Sequence, residues 1–248
     1  MKLMDWIYLV GSGRGGFEIS NPYDCNVYLL DAGEVCMMVD AGAGIEPGLI
    51  IDTIEKEGFD PLNVKYIFLT HLHADHAGGA YALRAETGGQ VAVHFNGARI
   101  LEKGDEFEID LIPARKYHFY PNDYRFKKCR CDIRLRHGSK FHIGKLTVEV
   151  MLLPGHSRFD TYFLVTNDAT NQVVLFTGDG FFAGGRISML ATKDFDLQGL
   201  RTAIFRLKNK RFDSLLPGHN QPVLQNAQVH LQMAADAFTM LKVPPSIV

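Results

Sequence analysis

The 248-residue sequence contains only four cysteines, and they form no pattern typical of a disulfide framework or a zinc–thiolate site. Cys25 and Cys36 lie in apolar, strand-like runs and resemble small buried hydrophobic residues. Cys129 and Cys131 are separated by one residue, a spacing too short for the usual zinc-binding pairs. We therefore expect free thiols, with a redox role of the second pair as an open alternative.

The sequence also lacks a strong excess of charge and a long apolar segment. Lys and Arg total 26 and Asp and Glu total 28, for a net charge of −2, unlike a nucleic-acid or membrane-surface binder. The first ten residues include Lys2 and Asp5 and no long apolar core, so no secretory signal is expected. These absences predict a cytoplasmic protein that acts on a small-molecule substrate, with no nucleic-acid and no membrane partner. A homodimer stays an open alternative.

Basic residues are concentrated between positions 125 and 136, in an otherwise balanced chain. The members of this basic stretch are Arg125, Lys127, Lys128, Arg130, Arg134 and Arg136. A solvated face or a subunit contact is the simpler interpretation of such a cluster, and attraction of an anionic substrate is the alternative.

Short apolar runs bounded by Gly, Pro, Asn and Asp predict alternating strands and helices. The predicted strands are Trp6–Val10, Asn26–Leu30, Val35–Val39, Val64–Leu69, Val91–His94, Lys145–Leu153, Thr161–Thr166, Gln172–Thr177 and Phe212–Leu216. The predicted helices are Ile45–Lys56, Ala77–Thr87, Asp196–Lys208 and Val223–Leu241. Residues from about 104 to 140 mix aromatic and charged side chains without a period, so we expect an irregular, partly helical excursion there. Two halves of similar content suggest two sheets face to face with helices outside, in a single domain over residues 1–248.

The strongest local feature is the stretch Thr-His-Leu-His-Ala-Asp-His-Ala-Gly-Gly at positions 70–79. His71 and His73 are two residues apart, so in extended backbone their side chains point the same way. Asp75 and His76 follow where the chain turns into a helix, and they can face a second point nearby. Imidazoles and a carboxylate suit zinc and other borderline divalent metals. Four candidate ligands in one loop exceed what a single catalytic zinc takes from it, which predicts two ions.

Three more candidate ligands each follow an apolar strand. His156 occurs in Leu-Pro-Gly-His-Ser, Asp179 in Phe-Thr-Gly-Asp-Gly and His219 in Leu-Leu-Pro-Gly-His. Their shared position just beyond a strand predicts that they gather at one edge of the sheets, where α/β proteins place their sites.

In combination and in this order, these motifs resemble those of the metallo-β-lactamase superfamily, with the resemblance carried by residues 71–219. The resemblance implies an α/β fold, a four-layer αββα sandwich of two mixed β-sheets with helices outside, and a dinuclear site between the sheets. It implies that Asp179 bridges the two ions and that Asp40, in Val-Asp-Ala-Gly, orients a ligand histidine. The implied ligands are His71, His73 and His156 for the first ion, Asp75, His76 and His219 for the second, and Asp179 for both.

Departures from the family pattern indicate which branches of the family the sequence resembles. True β-lactamases have a cysteine where Asp179 stands, so the chain is more similar to the lactonase and glyoxalase-II-like branches. Glyoxalase-II-type enzymes carry a C-terminal helical segment that binds glutathione, whereas only about 29 residues follow His219 here. The lactonase likeness is loose as well, because Arg158-Phe159-Asp160 replaces the usual Pro-Gly after Ser157.

The resulting functional prediction is a metal-dependent hydrolase that cleaves an ester, lactone or related acyl bond by a hydroxide bridging two divalent ions. Zinc is the first candidate metal, and iron and manganese are alternatives. Asp75 is the candidate that steers the nucleophile and moves its proton, and Phe182, Arg186 and Tyr120 are candidate substrate contacts. Two alternatives stay open, namely a thioester hydrolase of the glyoxalase-II type and a mononuclear iron dioxygenase acting on persulfides.

Overall fold

A computed structural model describes residues 1–248, which divide into two units, Met1–Leu135 and Arg136–Val248. Each unit holds one mixed β-sheet with its own helices. Two mixed sheets with helices confirm the α/β class predicted from the sequence. None of the helices has both the length and the apolar character that crossing a bilayer requires.

The first unit contains a seven-stranded sheet whose strands lie in chain order. The first four strands are antiparallel, and the fourth to the seventh are parallel. The strands are Lys2–Met4 (β1), Ile7–Gly11 (β2), Val27–Asp31 (β3), Cys36–Val39 (β4), Val64–Phe68 (β5), Gln90–His94 (β6) and Ile133–Leu135 (β7). The helices are Gly48–Lys56 (α1), Ala74–Ala77 (α2), Ala80–Thr87 (α3), Ala98–Lys103 (α4) and Leu111–Lys116 (α5).

The parallel half of this sheet positions the histidine-rich stretch. Strands β4 and β5 are parallel neighbours, with Val39 opposite Phe68, so the loops that follow them leave the same edge of the sheet. Asp40 therefore emerges beside the loop that carries His71 and His73. Strand β5 buries Val64, Ile67 and Phe68, which anchors this edge against the core.

The second unit contains a five-stranded sheet in the order β12-β11-β10-β9-β8. Strands β8 to β11 are antiparallel, and β11 and β12 are parallel. The strands are Lys140–Ile143 (β8), Leu146–Leu152 (β9), Thr161–Asn167 (β10), Val173–Gly178 (β11) and Ser214–Pro217 (β12), and the helices are Leu197–Leu207 (α6) and Gln228–Thr239 (α7). Both helices bury an apolar face against this sheet in a core that includes Leu175, Ile204, Leu215 and Phe238.

Two predicted helices differ from the structure. The helix predicted over Ala77–Thr87 begins only at Ala80, as α3; Ala77 ends the preceding short helix α2, and Gly78-Gly79 separates the two. The helix predicted over Val223–Leu241 begins only at Gln228, because Val223 exchanges two backbone hydrogen bonds of 2.8 Å with Leu215 and extends the sheet instead. Apolar Val223 fits a helix face and a strand equally well, so its pattern could not separate the two.

The stretch from about 104 to 140 contains the short helix α5 and strand β7, and the rest of it up to β8 is turns and irregular backbone. The pattern of the sequence did not predict β1, β7 or β8. The first and second of these have three residues each and the third has four, too few for alternation to be visible.

The imidazole of His94, at the end of β6, gives the first unit a dependence on pH. Burial lowers the pKa of His94 to about 4, and its Nδ1 accepts a hydrogen bond of 3.1 Å from the Asn96 backbone N–H, which needs the unprotonated ring. Between about pH 6.5 and pH 4 the unfolded chain binds a proton here that the folded chain excludes. The free energy of unfolding is therefore expected to fall as pH falls through this window, by at most about 1.4 kcal/mol per pH unit, less where water reaches the ring.

Denaturant unfolding of the wild type and of His94→Asn between pH 7 and pH 4 measures this contribution. Asparagine keeps a side-chain acceptor near the Asn96 N–H but does not titrate. The stability of the variant should fall less steeply with acid than that of the wild type. Parallel pH profiles of the two proteins would show that His94 does not carry the effect.

Candidate metal centre

Three histidines of the first unit lie side by side, His71 and His73 in the loop between β5 and α2 and His76 within α2. The ring centroid of His71 is 4.7 Å from that of His73 and 4.0 Å from that of His76. His71 and His76 are buried and His73 is half-buried. The chain brings them together because it turns into α2 directly after His73, whose carbonyl accepts hydrogen bonds from the backbone N–H groups of His76 and Ala77.

Asp40 fixes the ring of His76 from behind. Its Oδ2 lies 2.9 Å from His76 Nδ1, and its carboxylate also accepts hydrogen bonds from the backbone N–H of Thr70 at 2.7 Å and from the Thr70 hydroxyl at 2.8 Å. A carboxylate only accepts hydrogen bonds at neutral pH, so His76 carries its proton on Nδ1. That tautomer leaves the Nε2 lone pair available to a metal ion.

The backbone around Asp40 is shaped for this contact. Asp40 has a φ of 65°, a left-handed conformation that a non-glycine residue adopts only at a cost of roughly 1 kcal/mol or more. The Ala41 N–H donates to the carbonyl of His76 at 2.8 Å, which joins this turn to α2. At Gly79 an added Cβ would overlap the carbonyl oxygen of Ala41, so glycine is required for the two segments to approach.

The carboxylate of Asp75 is held by a tyrosine from the 104–140 stretch. The Tyr120 hydroxyl donates to Asp75 Oδ1 at 3.0 Å and accepts from the Asp75 backbone N–H at 3.1 Å. Burial, with a smaller effect of the Asp75 charge, raises the pKa of Tyr120 well above its ordinary value. The phenol therefore stays protonated and remains a donor. The other oxygen, Asp75 Oδ2, lies 3.6 Å from His76 Nε2.

Cys25 is a neighbour of this cluster that sequence reasoning placed only in the core. Its sulfur can approach the same point as side-chain atoms of Asp40 and His76, all within 4.8 Å of one another. Burial raises the pKa of Cys25 far above its ordinary value, so the thiol stays protonated and is a poor ligand. No spacing within the sequence links position 25 to position 76, so only the fold could identify this contact.

The second unit brings together the three candidates that follow its strands. Asp179 Oδ2 lies 3.8 Å from His156 Nε2 and 3.3 Å from His219 Nε2. Asp179 and His219 are neighbours because β11 and β12 are parallel, and the Gly218 N–H donates to the carbonyl of Gly178 at 2.8 Å. One carboxylate oxygen thus faces the Nε2 atoms of two histidines, the arrangement expected of a carboxylate that shares cations with them.

Asp160 shapes the turn that carries His156, and sequence reasoning gave it no role. Its buried carboxylate accepts hydrogen bonds from the backbone N–H groups of His156 at 2.8 Å and Ser157 at 2.9 Å, and from the Ser157 hydroxyl at 2.7 Å. Burial raises the pKa of Asp160 to about 7. The signal that could have identified it is its place four residues after His156, from which an Asp side chain can close a turn.

The remaining candidate substrate contacts lie in the second unit, after Asp179. Phe182 is buried, and its N–H donates to the carbonyl of Arg186 at 2.9 Å in a short bridged turn. The Arg186 guanidinium is exposed and donates to the carbonyl of Ser246 at 2.9 Å. Their contact with substrate, like that of Tyr120, stays a prediction.

Two groups of donor atoms, one around His76 in the first unit and one around Asp179 in the second, fit divalent metal ions. Each offers imidazole nitrogens beside a carboxylate oxygen, which is the set that zinc, iron and manganese accept. Asp40 holds His76 in the tautomer that ligation requires.

Comparison with known proteins agrees with these features. The profile described as the metallo-beta-lactamase superfamily matches residues 20–219. Acyl-coenzyme A thioesterase MBLAC2 of Homo sapiens is 25% identical over 241 residues, covering 88% of this chain and 83% of that protein. Hydroxyacylglutathione hydrolase of Pseudomonas entomophila is 27% identical over 237 residues, covering 86% and 74%.

The fold agrees as well. The crystal structure of BJP-1, a subclass B3 metallo-beta-lactamase of Bradyrhizobium japonicum, superimposes with a TM-score of 0.73 at 23% identity, covering 97% of this chain and 91% of that one. The profile match spans every motif from His71 to His219, in both units. The chain therefore belongs to the metallo-β-lactamase superfamily and is a hydrolase.

Proposed function

We propose that this chain hydrolyses acyl thioesters at a pair of divalent cations. The proposal is supported by the donor clusters around His76 and around Asp179, together with relatives that are named as thioesterases. The ligand set proposed for the two ions is His71, His73, Asp75, His76, His156, Asp179 and His219. The sequence predicted an ester, lactone or related acyl bond and left a thioester hydrolase as an alternative; the relatives favour that alternative.

The cations would supply the activated water and the polarisation of the carbonyl, and the residues of this chain would hold the cations in position. When bound, the two ions would lower the pKa of water toward neutrality and polarise the acyl carbonyl. Asp179 is suited to lie between them, because one of its oxygens faces both His156 and His219. Asp40 keeps Nε2 of His76 available for coordination by holding the proton on Nδ1.

Asp75 is proposed to accept the proton of the attacking water. The Tyr120 hydroxyl occupies Oδ1, which leaves Oδ2 directed toward His76 Nε2. A phenol that donates to one oxygen fixes the rotamer of the carboxylate, so that the other oxygen is presented in one direction. Proton transfer by a side chain positioned in this way contributes roughly 10²–10⁴-fold to rate.

The test is a substrate panel on protein whose metal content has been measured. Purified protein should contain up to two divalent ions per chain. It should hydrolyse acyl-coenzyme A or acyl-glutathione with a kcat/KM at least about a hundredfold above that for homoserine lactones and aryl esters, because a site shaped for one leaving group discriminates by such factors. Removal of metal with a chelator should abolish turnover, and added zinc, iron or manganese should restore it.

Three outcomes would contradict the proposal. Turnover of lactones alone would return the assignment to the ester and lactone class. Consumption of dioxygen with a persulfide, at one iron per chain, would replace hydrolysis with oxygenation. Thioesterase activity that survives complete metal removal would refute the role of the cations.

A further inference from the structure

A cavity in the first unit is lined by residues outside the candidate ligand set. Its volume is about 530 Å³, within the range of small-molecule sites. It lies between helix α3, the end of α4 and the basic stretch, and we call it the α3 cleft. Its lining includes Tyr81, Arg84, Glu102, Lys128 and Arg130.

The α3 cleft carries a net positive charge. Arg84 and Arg130 share one carboxylate, Asp132, at 3.0 Å and 3.1 Å, and the Arg84 guanidinium lowers the pKa of that carboxyl. Glu102 lies 3.9 Å from Arg134, while Lys128 is exposed. Four of these side chains are cationic and two are anionic, so the group retains an excess of two positive charges in a chain whose net charge is −2.

An aromatic ring lies in the same cleft. Tyr81 is 52% exposed, so its ring is accessible to a ligand in the cleft. Lys127 Nζ lies 6.0 Å from the centre of its ring, so a fifth cation approaches this end of the cleft. A flat ring beside several cations is the combination that binds a base by stacking and its phosphates by charge.

The α3 cleft is connected to the ligand cluster by two short stretches of chain. Tyr81 follows Asp75 by six residues, and Gly78 and Gly79 between α2 and α3 keep right-handed helical dihedrals. A helical path of six residues spans about 9 Å. On the other side, Tyr120 contacts Asp75, and Lys128 follows it by eight residues, which span at most about 28 Å.

We propose that the α3 cleft binds the phosphorylated adenosine end of a coenzyme A thioester, with the base against Tyr81 and the phosphates at Lys128, Arg130 and Arg84. The inference rests on the proposed thioesterase function and specifies its carrier. Glutathione, a carrier without a nucleotide, has carboxylates for the cations but no base to stack on Tyr81. The basic stretch, whose simpler interpretation from sequence was a solvated face, thereby acquires a ligand.

The binding test uses adenosine 3′,5′-bisphosphate, which has no acyl bond, on the full chain by calorimetry. The double variant Lys128→Glu/Arg130→Glu should weaken binding by at least about tenfold, and Tyr81→Ala by about tenfold. Lys208→Glu, a charge reversal at an exposed position of the second unit, is the matched control and should change nothing. Equal affinity in the wild type and the double variant, or no binding to the wild type, would overturn the proposal.

A kinetic test distinguishes nucleotide binding in the α3 cleft from hydrolysis of the thioester. With acyl-coenzyme A, the double variant should show a KM raised at least about tenfold and an unchanged kcat, because the interaction is equal in the ground state and transition state. With the acyl thioester of N-acetylcysteamine, which lacks the nucleotide, the wild type and the double variant should have equal kcat and KM. If the double variant hydrolyses both thioesters with the KM of the wild type, nucleotide binding in the α3 cleft is refuted and the proposed function stands. If the wild type hydrolyses neither thioester, the proposed function itself is refuted.

Discussion

Replacement of Asp179 by asparagine is expected to reduce kcat/KM for an acyl thioester by about a thousandfold. Asparagine keeps the size of the side chain but removes the charge from the oxygen that lies 3.8 Å from His156 Nε2 and 3.3 Å from His219 Nε2. A neutral amide oxygen is a weak ligand for zinc, and the amide NH₂ would be repelled by a cation. The number of metal ions per chain should therefore fall by about one. Elemental analysis and steady-state kinetics on the same preparation measure both effects.

The control for this substitution is Asp168→Asn, a change of the same chemistry at an exposed position after β10. Both variants should keep the circular dichroism spectrum of the wild type and melt within a few degrees of it, since neither change alters side-chain volume. Normal turnover by Asp179→Asn with two ions per chain would remove this carboxylate from the proposed centre. Loss of activity together with loss of folded structure would assign it a structural role instead.

Substitution of Asp40 by asparagine should weaken metal binding by about 10–100-fold. Its carboxylate accepts from the Thr70 N–H on one oxygen and from His76 Nδ1 on the other. An amide whose oxygen faces Thr70 must turn its NH₂ toward His76, which requires Nδ1 to accept and places the proton on Nε2. The substitution thus blocks the atom proposed to bind the metal. Asparagine tolerates the left-handed backbone of this position, so the effect reports on the charge and not on the chain conformation.

Competition with a chelator gives the metal affinity of this variant, and nitrogen NMR of the metal-free protein gives the tautomer of His76. Asp52→Asn on the exposed face of α1 is the matched control. Unchanged affinity with the proton still on Nδ1 would contradict the positioning role of Asp40. A changed tautomer with unchanged affinity would remove His76 from the ligand set.

The sequence predicted the fold class because the relevant patterns are long and local. Apolar strands such as Leu146–Leu152 and amphipathic helices such as Leu197–Leu207 were predicted within one or two residues of their bounds. The loop containing His71 to His76 was identified by residue type alone, since four potential ligands occur within six positions. Both observations depend on neighbours in sequence and need no knowledge of tertiary packing.

Contacts between distant positions could not be predicted in the same way. Cys25 near His76, Tyr120 on Asp75 and Tyr124 against Ala43 join residues 45 to 81 positions apart. Each arises from the path of a loop over a sheet edge, which periodicity does not describe. The turn closed by Asp160 is local, but a lone aspartate four residues after a histidine is too common to be informative without its burial and its three donors.

The turn at Asp160 and the hydrogen bond between Asp40 and His76 have a thermodynamic consequence for the binding of metal ions. Both use hydrogen bonds within the protein to hold the backbone of His156 and the ring of His76 in place. The conformational entropy of arranging these two donors is therefore lost when the chain folds and not when an ion arrives. We therefore expect this protein to differ from small zinc domains that fold only around their metal, since exchange of one cation for another would require little rearrangement of these two residues.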